Sequence, residues 1–123
     1  MTQENKELLL KDLCARLPYG VKIELSWWDM GEWKYIDTTL EADHIEQLIN
    51  DEDGDIEIEP YLRPMSSMTN EQKREYQYIT ERWMYDSSYS ISDSIDWLNK
   101  NHFDYRGLIE KGLAIDATEL NIY

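Results

Sequence analysis

The residues whose types and spacing could most readily bind a ligand are the carboxylates of segment 50–59, NDEDGDIEIE. Their composition suggests a calcium-binding turn. Ca²⁺ prefers oxygen ligands, and an EF-hand loop requires a glycine at its sixth position. Placing Gly54 there puts Ile49 at the first position and Pro60 at the twelfth, where oxygen ligands are required. The segment therefore predicts a solvated acidic turn without a specific metal site, and a weak Ca²⁺ or Mg²⁺ site is the alternative.

Other arrangements typical of enzymes are missing from the sequence. His44 and His102 are the only histidines, and no HxxxH, HExxH or CxxC spacing occurs. There is no P-loop, no GxGxxG and no GxSxG motif. A carboxylate pair for glycoside hydrolysis stays an alternative, because such pairs form in space rather than in sequence. We therefore predict a protein that is not an enzyme and uses no cofactor.

Tryptophan and tyrosine side chains are concentrated in segment 21–40, which is predicted to be a β-hairpin. A loop at residues 29–32 sets three facing pairs: Trp28 with Trp33, Leu25 with Ile36, and Val21 with Leu40. One face is then apolar, with Val21, Ile23, Leu25, Trp27, Ile36 and Leu40. The other face carries Glu24, Ser26, Trp28, Trp33, Tyr35 and Asp37.

These patterns define the predicted binding residues. The aromatic patch is Trp28, Trp33 and Tyr35, unless a C-terminal helix covers it as core. The acidic turn adds Asp51, Glu52, Asp53 and Asp55. Arg106, in the sequence DYRG at 104–107, is either presented by a loop or, as the alternative, paired weakly at the surface beside a helix C-cap at Gly107.

Residues 4–17 are predicted to form a helix that ends at the sequence PYG at 18–20. Its apolar stripe, with spacing i, i+3, i+4, i+7, is Leu10, Leu13, Cys14 and Leu17. This stripe predicts Cys14 to be a small buried hydrophobic residue rather than a nucleophile or ligand.

Residues 41–50 are open between two interpretations. Ile45, Leu48 and Ile49 suit a short helix, whereas the dipeptide Asp53-Gly54 is a hairpin signal that would set Ile49 opposite Ile58. Alternation of isoleucine with glutamate predicts a half-buried strand at 55–59 in either case.

The segment PYLRPMSSMT at 60–69 predicts the end of the sheet, a fixed crossing and a helix start. Pro60 and Pro64 cannot donate to a ladder, and Thr69 with Gln72 forms a capping box. A helix over 70–85 follows, with Tyr76, Ile79 and Trp83 along one side.

The C-terminal part is predicted to contain one more helix. After a loop at 86–90, a second capping box from Ser90 to Asp93 opens a helix through about residue 101. Its apolar stripe is Ile91, Ile95 and Leu98, and residues 104–123 are expected to be irregular.

Three blocks of sequence resemble a family of small uncharacterised proteins that is typical of Bacteroides-type gut bacteria and their prophages. The blocks are PYLRPMSSMT at 60–69, ELLLKDLCARLPYGV at 7–21 and DWLNKNHFDYRGLIEKGLA at 96–114. They cover under half of the chain, and residues 22–59 and 77–95 match no family pattern. The resemblance implies a bacterial or phage cytoplasmic setting, and it assigns no activity and no catalytic residue.

Charge is the strongest compositional signal. The net charge is −14, and the window between Lys34 and Arg63 contains no lysine or arginine but ten carboxylates. Such a chain disfavours direct binding to nucleic acid or to an anionic membrane. One cysteine and the absence of a long apolar run fit a cytoplasmic protein without a disulfide or a membrane span.

The 123 residues are therefore predicted to form a single α+β domain with an N-terminal helix, a curled antiparallel sheet of three to five strands and two C-terminal helices. The predicted function is a non-catalytic accessory protein of phage or mobile-element origin that binds another protein. One alternative is an acidic nucleic-acid mimic that inhibits a host DNA- or RNA-binding enzyme, which implies a basic partner. The second is a small hydrolase with a carboxylate site. The oligomeric state is not predicted.

Overall fold

The computed structural model describes residues 1–86, 88 and 90–123, and of Trp83 it describes only the backbone. These residues form four α-helices and five strands, which confirms the α+β class. In chain order they are α1 (Gln3–Arg16), β1 (Lys22–Asp29), β2 (Glu32–Thr39), α2 (Ala42–Asn50), β3 (Ile56–Pro64), α3 (Asn70–Tyr85), α4 (Ile91–Lys100), β4 (Phe103–Asp104) and β5 (Ile115–Asp116).

The sheet is mixed rather than antiparallel, so this part of the prediction was wrong. Its strand order is β2-β1-β3-β4, and β5 also pairs with β3. Strand β1 is antiparallel to β2 and β3, whereas β4 and β5 run parallel to β3. The reason is the connection, because helices α3 and α4 carry the chain back before β4 begins, and such crossovers produce parallel pairing.

The hairpin register is confirmed. Trp28 lies opposite Trp33, Leu25 lies opposite Ile36, and the Leu40 N–H donates to the Val21 carbonyl at 2.9 Å. The turn itself is only two residues long, Met30 and Gly31, with φ of 50° and 88°. Two positive φ values twist the turn in the same sense as the strands, which suits a two-residue connection.

Of the two interpretations of residues 41–50, the helix is confirmed, because α2 spans Ala42–Asn50, and the hairpin around Asp53-Gly54 is wrong. In α2, Ile45 and Leu48 are buried, whereas Ile49 is exposed. The Asp51 carboxylate accepts the backbone N–H groups of Asp55 and Ile56 at 3.1 and 3.2 Å, so the acidic turn leads from the helix into β3.

Strand β3 continues past the predicted end of the sheet and includes both prolines, Pro60 and Pro64. Pro60 lies opposite Ile23 in the last residue pair that β3 forms with β1. Pro60 has no N–H to donate, and it lies at the end of the β1–β3 ladder, where this loss is tolerated. Beyond Pro60, β3 pairs with β5 and then with β4.

The buried side of α1 differs from the predicted stripe. Leu9, Asp12, Leu13 and Arg16 are the buried residues of this helix, and Cys14 is exposed. The helix is rotated because Asp12 and Arg16 form a buried ion pair and Arg16 also donates to the Phe103 carbonyl. The prediction of a buried Cys14 was wrong.

The helix starts in the C-terminal half are confirmed. Thr69 and Gln72 exchange hydrogen bonds of 3.1 and 2.9 Å, and the Ser90 N–H donates to Asp93 at 3.0 Å. In α4, however, Ile91 and Ile95 are exposed, and the buried residues are Ser94, Trp97, Leu98 and Asn99. The side chain of Trp83 and residues 87 and 89 of the predicted loop lie outside the described residues.

Two apolar clusters hold these elements together. The larger cluster joins α1 and α2 to one face of the sheet through Leu9, Leu13, Val21, Ile23, Ile45, Leu48, Ile58 and Leu62, and Leu108 and Leu113 of the otherwise largely irregular C-terminal segment complete it. The smaller cluster joins α3 and α4 through Met68, Tyr76, Ile79, Trp97, Leu98 and Phe103. None of the helices in the described part of the chain is long and apolar enough to span a membrane.

Candidate functional site

Helices α1 and α2 pack on one face of the β2-β1-β3 sheet and leave the opposite face of the hairpin uncovered. The register assigns eleven side chains to this opposite face, which we call the open face: Lys22, Glu24, Ser26, Trp28, Trp33, Tyr35, Asp37, Thr39, Asp55, Glu57 and Glu59. Five of the eleven are carboxylates, and the one cation, Lys22, lies at the end of β1 away from the tryptophans. The face therefore combines aromatic rings with an excess of negative charge.

The aromatic end of the open face lies next to the hairpin turn. Trp28 and Trp33 meet edge to face, with ring centroids 5.8 Å apart and an interplanar angle of 71°. Their exposed fractions are 47% and 45%, and that of Tyr35 is 70%. The predicted aromatic residues thus form one surface patch, and none of the C-terminal helices covers it within the described residues.

The acidic part of the open face is continuous with the tryptophan pair. The Trp28 N–H donates to the Asp55 carbonyl at 2.9 Å, so Asp55 extends the row formed by Trp33 and Trp28. Glu24 lies opposite Asp37 on one side and Glu59 on the other. Burial, followed by the negative charges of Glu24 and Glu57, raises the pKa of Glu59.

The four predicted acidic residues do not share one role. Glu52, Asp53 and Asp55 are exposed beside the tryptophan end of the sheet. Asp51 instead shapes the turn, because its carboxylate holds two backbone N–H groups and its carbonyl accepts from Lys6 Nζ at 2.9 Å. We therefore assign only the first three to the candidate binding surface.

At its opposite end the open face is closed by Tyr61 and the C-terminal segment. The Tyr61 hydroxyl donates to Asp37 at 2.5 Å and lies 3.5 Å from Glu24, beside a cleft of 560 Å³ that is also lined by Leu120 and Ile122. Burial and then the hydrogen bond to Asp37 raise the pKa of this hydroxyl. Because the Tyr61 hydroxyl contacts both carboxylates, it occupies the space between this particular pair.

Arg106 lies away from the open face. Its guanidinium donates to Asp12 at 3.1 Å and to the Tyr105 hydroxyl at 2.7 Å. Asp12 is fully buried and also pairs with Arg16 at 2.8 Å. The alternative interpretation of Arg106 is confirmed in two respects, because Arg106 pairs with a carboxylate and Gly107 has a left-handed φ of 74°. It was wrong in the rest, because residues 104–107 do not end a helix and the partner Asp12 is buried, so the pair belongs to a buried network between α1 and the C-terminal segment.

His102 is buried directly before β4 and has an unusual conformation. Its φ is 64°, and its ring stacks on Tyr123 with centroids 3.8 Å apart. Burial, and then the positive charges of Arg16, Arg63 and Lys22, lower the pKa of His102 to about 4. The Tyr123 hydroxyl accepts from the Lys22 N–H and donates to the Tyr61 carbonyl, both at 2.8 Å, so this stack secures the end of β1 against β3.

Sequence reasoning missed several residues that build the site. Glu57 and Glu59 alternate with isoleucines in the sequence, so the signal for an acidic strand face was present, but their position beside Trp28 depends on the pairing of β1 with β3. The roles of Tyr61 and Tyr123 depend on contacts between distant segments. Within the described residues, no group of three or more histidine, cysteine or acidic side chains is placed to hold a metal ion.

The fold and the site together define an acidic α+β protein with helices on one side of its hairpin and an open, aromatic and acidic sheet face on the other. No family model, curated protein or solved structure matches this chain.

Proposed function

We propose that this chain is a non-catalytic accessory protein of phage or mobile-element origin that works in the cytoplasm by binding another protein through its open face. The proposed partner presents a basic surface that contains arginine. The origin rests on the family resemblance of the three sequence blocks. The binding mode rests on the geometry of the open face.

The observation that carries the proposal is the exposed Trp28–Trp33 pair beside the carboxylate of Asp55. Tryptophan is enriched among the residues that dominate binding energy at protein interfaces. An arginine guanidinium stacks favourably on a tryptophan face and forms paired hydrogen bonds with a carboxylate. Asp55 continues the row of Trp33 and Trp28, so the open face offers both interactions to one arginine side chain.

Repulsion within the open face also favours a basic partner. Glu24 lies between Asp37 and Glu59 on neighbouring strands, and like charges that face each other across strands destabilise a sheet. A cationic surface that covers these carboxylates would replace the repulsion with attraction. Complementary charge also accelerates the encounter of two proteins and selects against acidic partners.

The proposal is tested by affinity capture from a Bacteroides lysate, with captured proteins sorted by isoelectric point. The test variant is Trp28→Ala with Trp33→Ala. The matched control is Tyr78→Ala with Tyr85→Ala, which removes two exposed aromatic residues of α3 that lie outside the open face. We expect the wild type and the tyrosine control to retain the same basic protein and the tryptophan variant to lose it.

Two results would contradict this proposal. Retention of the partner by the folded tryptophan variant would exclude the aromatic end of the open face as the binding surface. Consistent capture of an acidic partner would exclude charge complementarity as the basis of recognition.

A specific feature of β3 supports the nucleic-acid mimic as a second candidate. Asp55, Glu57 and Glu59 occur at every second residue, so their carboxylates follow one line with a spacing of roughly 6.8 Å. A regular line of negative charge imitates a phosphate backbone and would occupy the basic groove of a DNA- or RNA-binding enzyme. In that case duplex DNA or RNA displaces the protein from its captured partner, whereas in the first candidate nucleic acid has no effect.

A further inference from the structure

Arg63 is half-buried, and none of the carboxylates in the described residues pairs with it. Arg16 and Arg106 both pair with Asp12, but no ion pair involves Arg63. Its guanidinium lies over the rings of Tyr123 and Phe103, at 5.4 and 6.0 Å from their centroids. The two rings therefore orient the Arg63 guanidinium, but no carboxylate of the described residues neutralises its charge, although the net charge of the chain is −14.

The guanidinium faces a cleft of 240 Å³ whose other polar groups include unused hydrogen-bond donors. The lining residues are Arg63, Ser67, Thr69, Gln72, Ala117, Thr118, Asn121, Ile122 and Tyr123. Gln72 uses its side-chain oxygen to accept the Thr69 N–H, which leaves its NH₂ group available. Asn121, held at a φ of 51°, has no side-chain hydrogen bond to any described residue.

The remaining electrostatic features of the cleft also favour a negative guest. Helix α3 begins at this cleft, and its N-terminal end carries partial positive charge from the aligned peptide dipoles. Asp116 precedes the lining residues Ala117 and Thr118, but its carboxylate accepts the N–H and the hydroxyl of Thr118 at 2.9 and 2.5 Å. It forms no ion pair with Arg63 within the described part of the chain.

We propose that the Arg63 cleft binds the carboxylate group of a small organic acid. The planar guanidinium matches the two oxygens of a carboxylate, and the NH₂ groups of Gln72 and Asn121 supply further donors. A single cation within a strongly acidic protein suits one negative charge better than the two charges of a phosphate. Ala117 and Ile122 line the cleft with apolar surface for the organic part of the acid. This site is separate from the open face.

The direct test is titration with benzoate, followed by NMR of the side-chain N–H signals of Arg63, Gln72 and Asn121. Benzamide is the neutral probe of the same shape, and inorganic phosphate is the second anion. We expect saturable shifts with benzoate at millimolar concentration, and no comparable shifts with benzamide or phosphate. Arg63→Gln should weaken benzoate binding by about tenfold or more, because a charge-assisted hydrogen-bond pair is lost.

Control variants separate binding from folding. Lys11→Gln removes one exposed positive charge from α1 and should leave benzoate binding unchanged. Arg63→Lys keeps the charge but loses the planar fork, so it should bind benzoate more weakly than the wild type. Asn121→Gly removes the amide at a position where positive φ suits glycine, so it should weaken binding without unfolding.

The proposal is overturned if benzoate produces no saturable shift up to about 50 mM, where the binding free energy would be weaker than about 1.8 kcal/mol. It is equally overturned if benzamide or phosphate binds as well as benzoate does, or if the folded Arg63→Gln protein binds benzoate like the wild type. Loss of partner binding at the open face would leave these outcomes unaffected.

Discussion

The most unusual single residue is His102, which is buried, stacked on Tyr123 and surrounded by positive charge. Its neutral form is favoured because burial and the nearby cations Arg16, Arg63 and Lys22 lower its pKa to about 4. A histidine in the unfolded chain has a pKa of about 6.5. Between these two values the unfolded chain binds a proton that the folded protein does not, so acid destabilises the fold in this range.

We therefore expect the free energy of unfolding to fall as the pH decreases from about 6.5 to about 4, with His102 as one source of the slope. The variant His102→Asn removes the titrating group and keeps a residue type that tolerates the φ of 64°. Denaturant unfolding at several pH values should show a flatter profile for this variant, whatever its stability at neutral pH. A slope for the His102→Asn variant equal to the wild-type slope would contradict the account of His102.

The buried Asp12 carboxylate supports a second prediction at the residue scale. Asp12 pairs with Arg16 and Arg106, and both Asp12 and Arg16 have no exposed surface. Asp12→Ala would leave a buried guanidinium without its partner, which typically costs about 3–5 kcal/mol. Unfolding titrations should show this loss for Asp12→Ala and less than about 0.5 kcal/mol for Glu7→Ala, an exposed acid of the same helix. Similar small losses for the two variants would show that the buried network does not hold α1 in place.

At the scale of elements, the pairing of β1 with β2 and β3 places several carboxylates next to one another, and their mutual repulsion opposes folding. Glu59 has a raised pKa because it is partly buried and faces Glu24 and Glu57. A raised carboxyl pKa means that the folded state prefers the protonated form, so this group destabilises the fold as the pH rises through that pKa. The pairing of β1 with β3 therefore carries a stability cost at Glu59.

Glu59→Gln should consequently stabilise the protein at pH 7, by roughly 0.2–1 kcal/mol, which is the range for like-charge pairs across strands. The gain should disappear under acidic conditions, where the wild-type carboxyl is itself protonated, and should shrink in salt. The measurement is the unfolding free energy at pH 7 and at acidic pH, with Glu119→Gln as an exposed control outside the sheet. A loss of stability at pH 7 would mean that Glu59 is better accommodated than its neighbours indicate.

The elements also show what the sequence could predict and where it could not. The hairpin register and both capping boxes were predictable, because facing pairs and cap residues are local in the chain. The buried side of α1 was not, because the ion pair that rotates it inward is completed by Phe103 and Arg106, far along the chain. The parallel pairing of β4 and β5 with β3 could not be predicted either. Each of these strands has only two residues, which is too short to show an alternation of polar and apolar side chains.

The candidate site likewise combines features that the sequence predicted with features that it could not predict. Trp28, Trp33 and Tyr35 were assigned to one face from alternation alone, and the structure places them there. Their continuity with Asp55 requires the β1–β3 pairing, and Arg106 was assigned to binding although a buried partner holds it elsewhere. Local patterns identified the aromatic surface, whereas long-range pairing decided which charges accompany it.

At the scale of the whole molecule, net charge governs which partners can approach. Exposed charges are screened beyond about 8 Å at 0.15 M salt, so an interaction driven by the acidic residues should be salt-dependent. Replacing Glu52, Asp53 and Asp55 with lysine should slow association with a basic partner by about tenfold or more at low salt, with a smaller effect at high salt. Asp51 is left intact because it shapes the turn.

The measurement is the association rate constant at several salt concentrations, obtained by surface plasmon resonance. The control replaces Glu71, Glu75 and Glu81 of α3 with lysine and makes the same change in net charge away from the open face. A partner that binds equally well at all salt concentrations would exclude the nucleic-acid mimic. Equal effects of the two triple variants would show that total charge, rather than the acidic turn, controls association.

The central claim, that the open face is the binding surface, is tested most directly by the pair Trp28→Ala and Trp33→Ala. One sample gives both quantities needed: the dissociation constant for the captured partner, by calorimetry, and the free energy of unfolding. We predict a loss of about 2 kcal/mol or more in binding, which is roughly thirtyfold in the dissociation constant. We also predict that the double variant stays folded, with a loss of stability that comprises about 0.5–1.5 kcal/mol for the ring pair and the lost burial of two half-exposed side chains. A folded double variant that binds its partner with unchanged affinity, or a variant that simply unfolds, would contradict the claim.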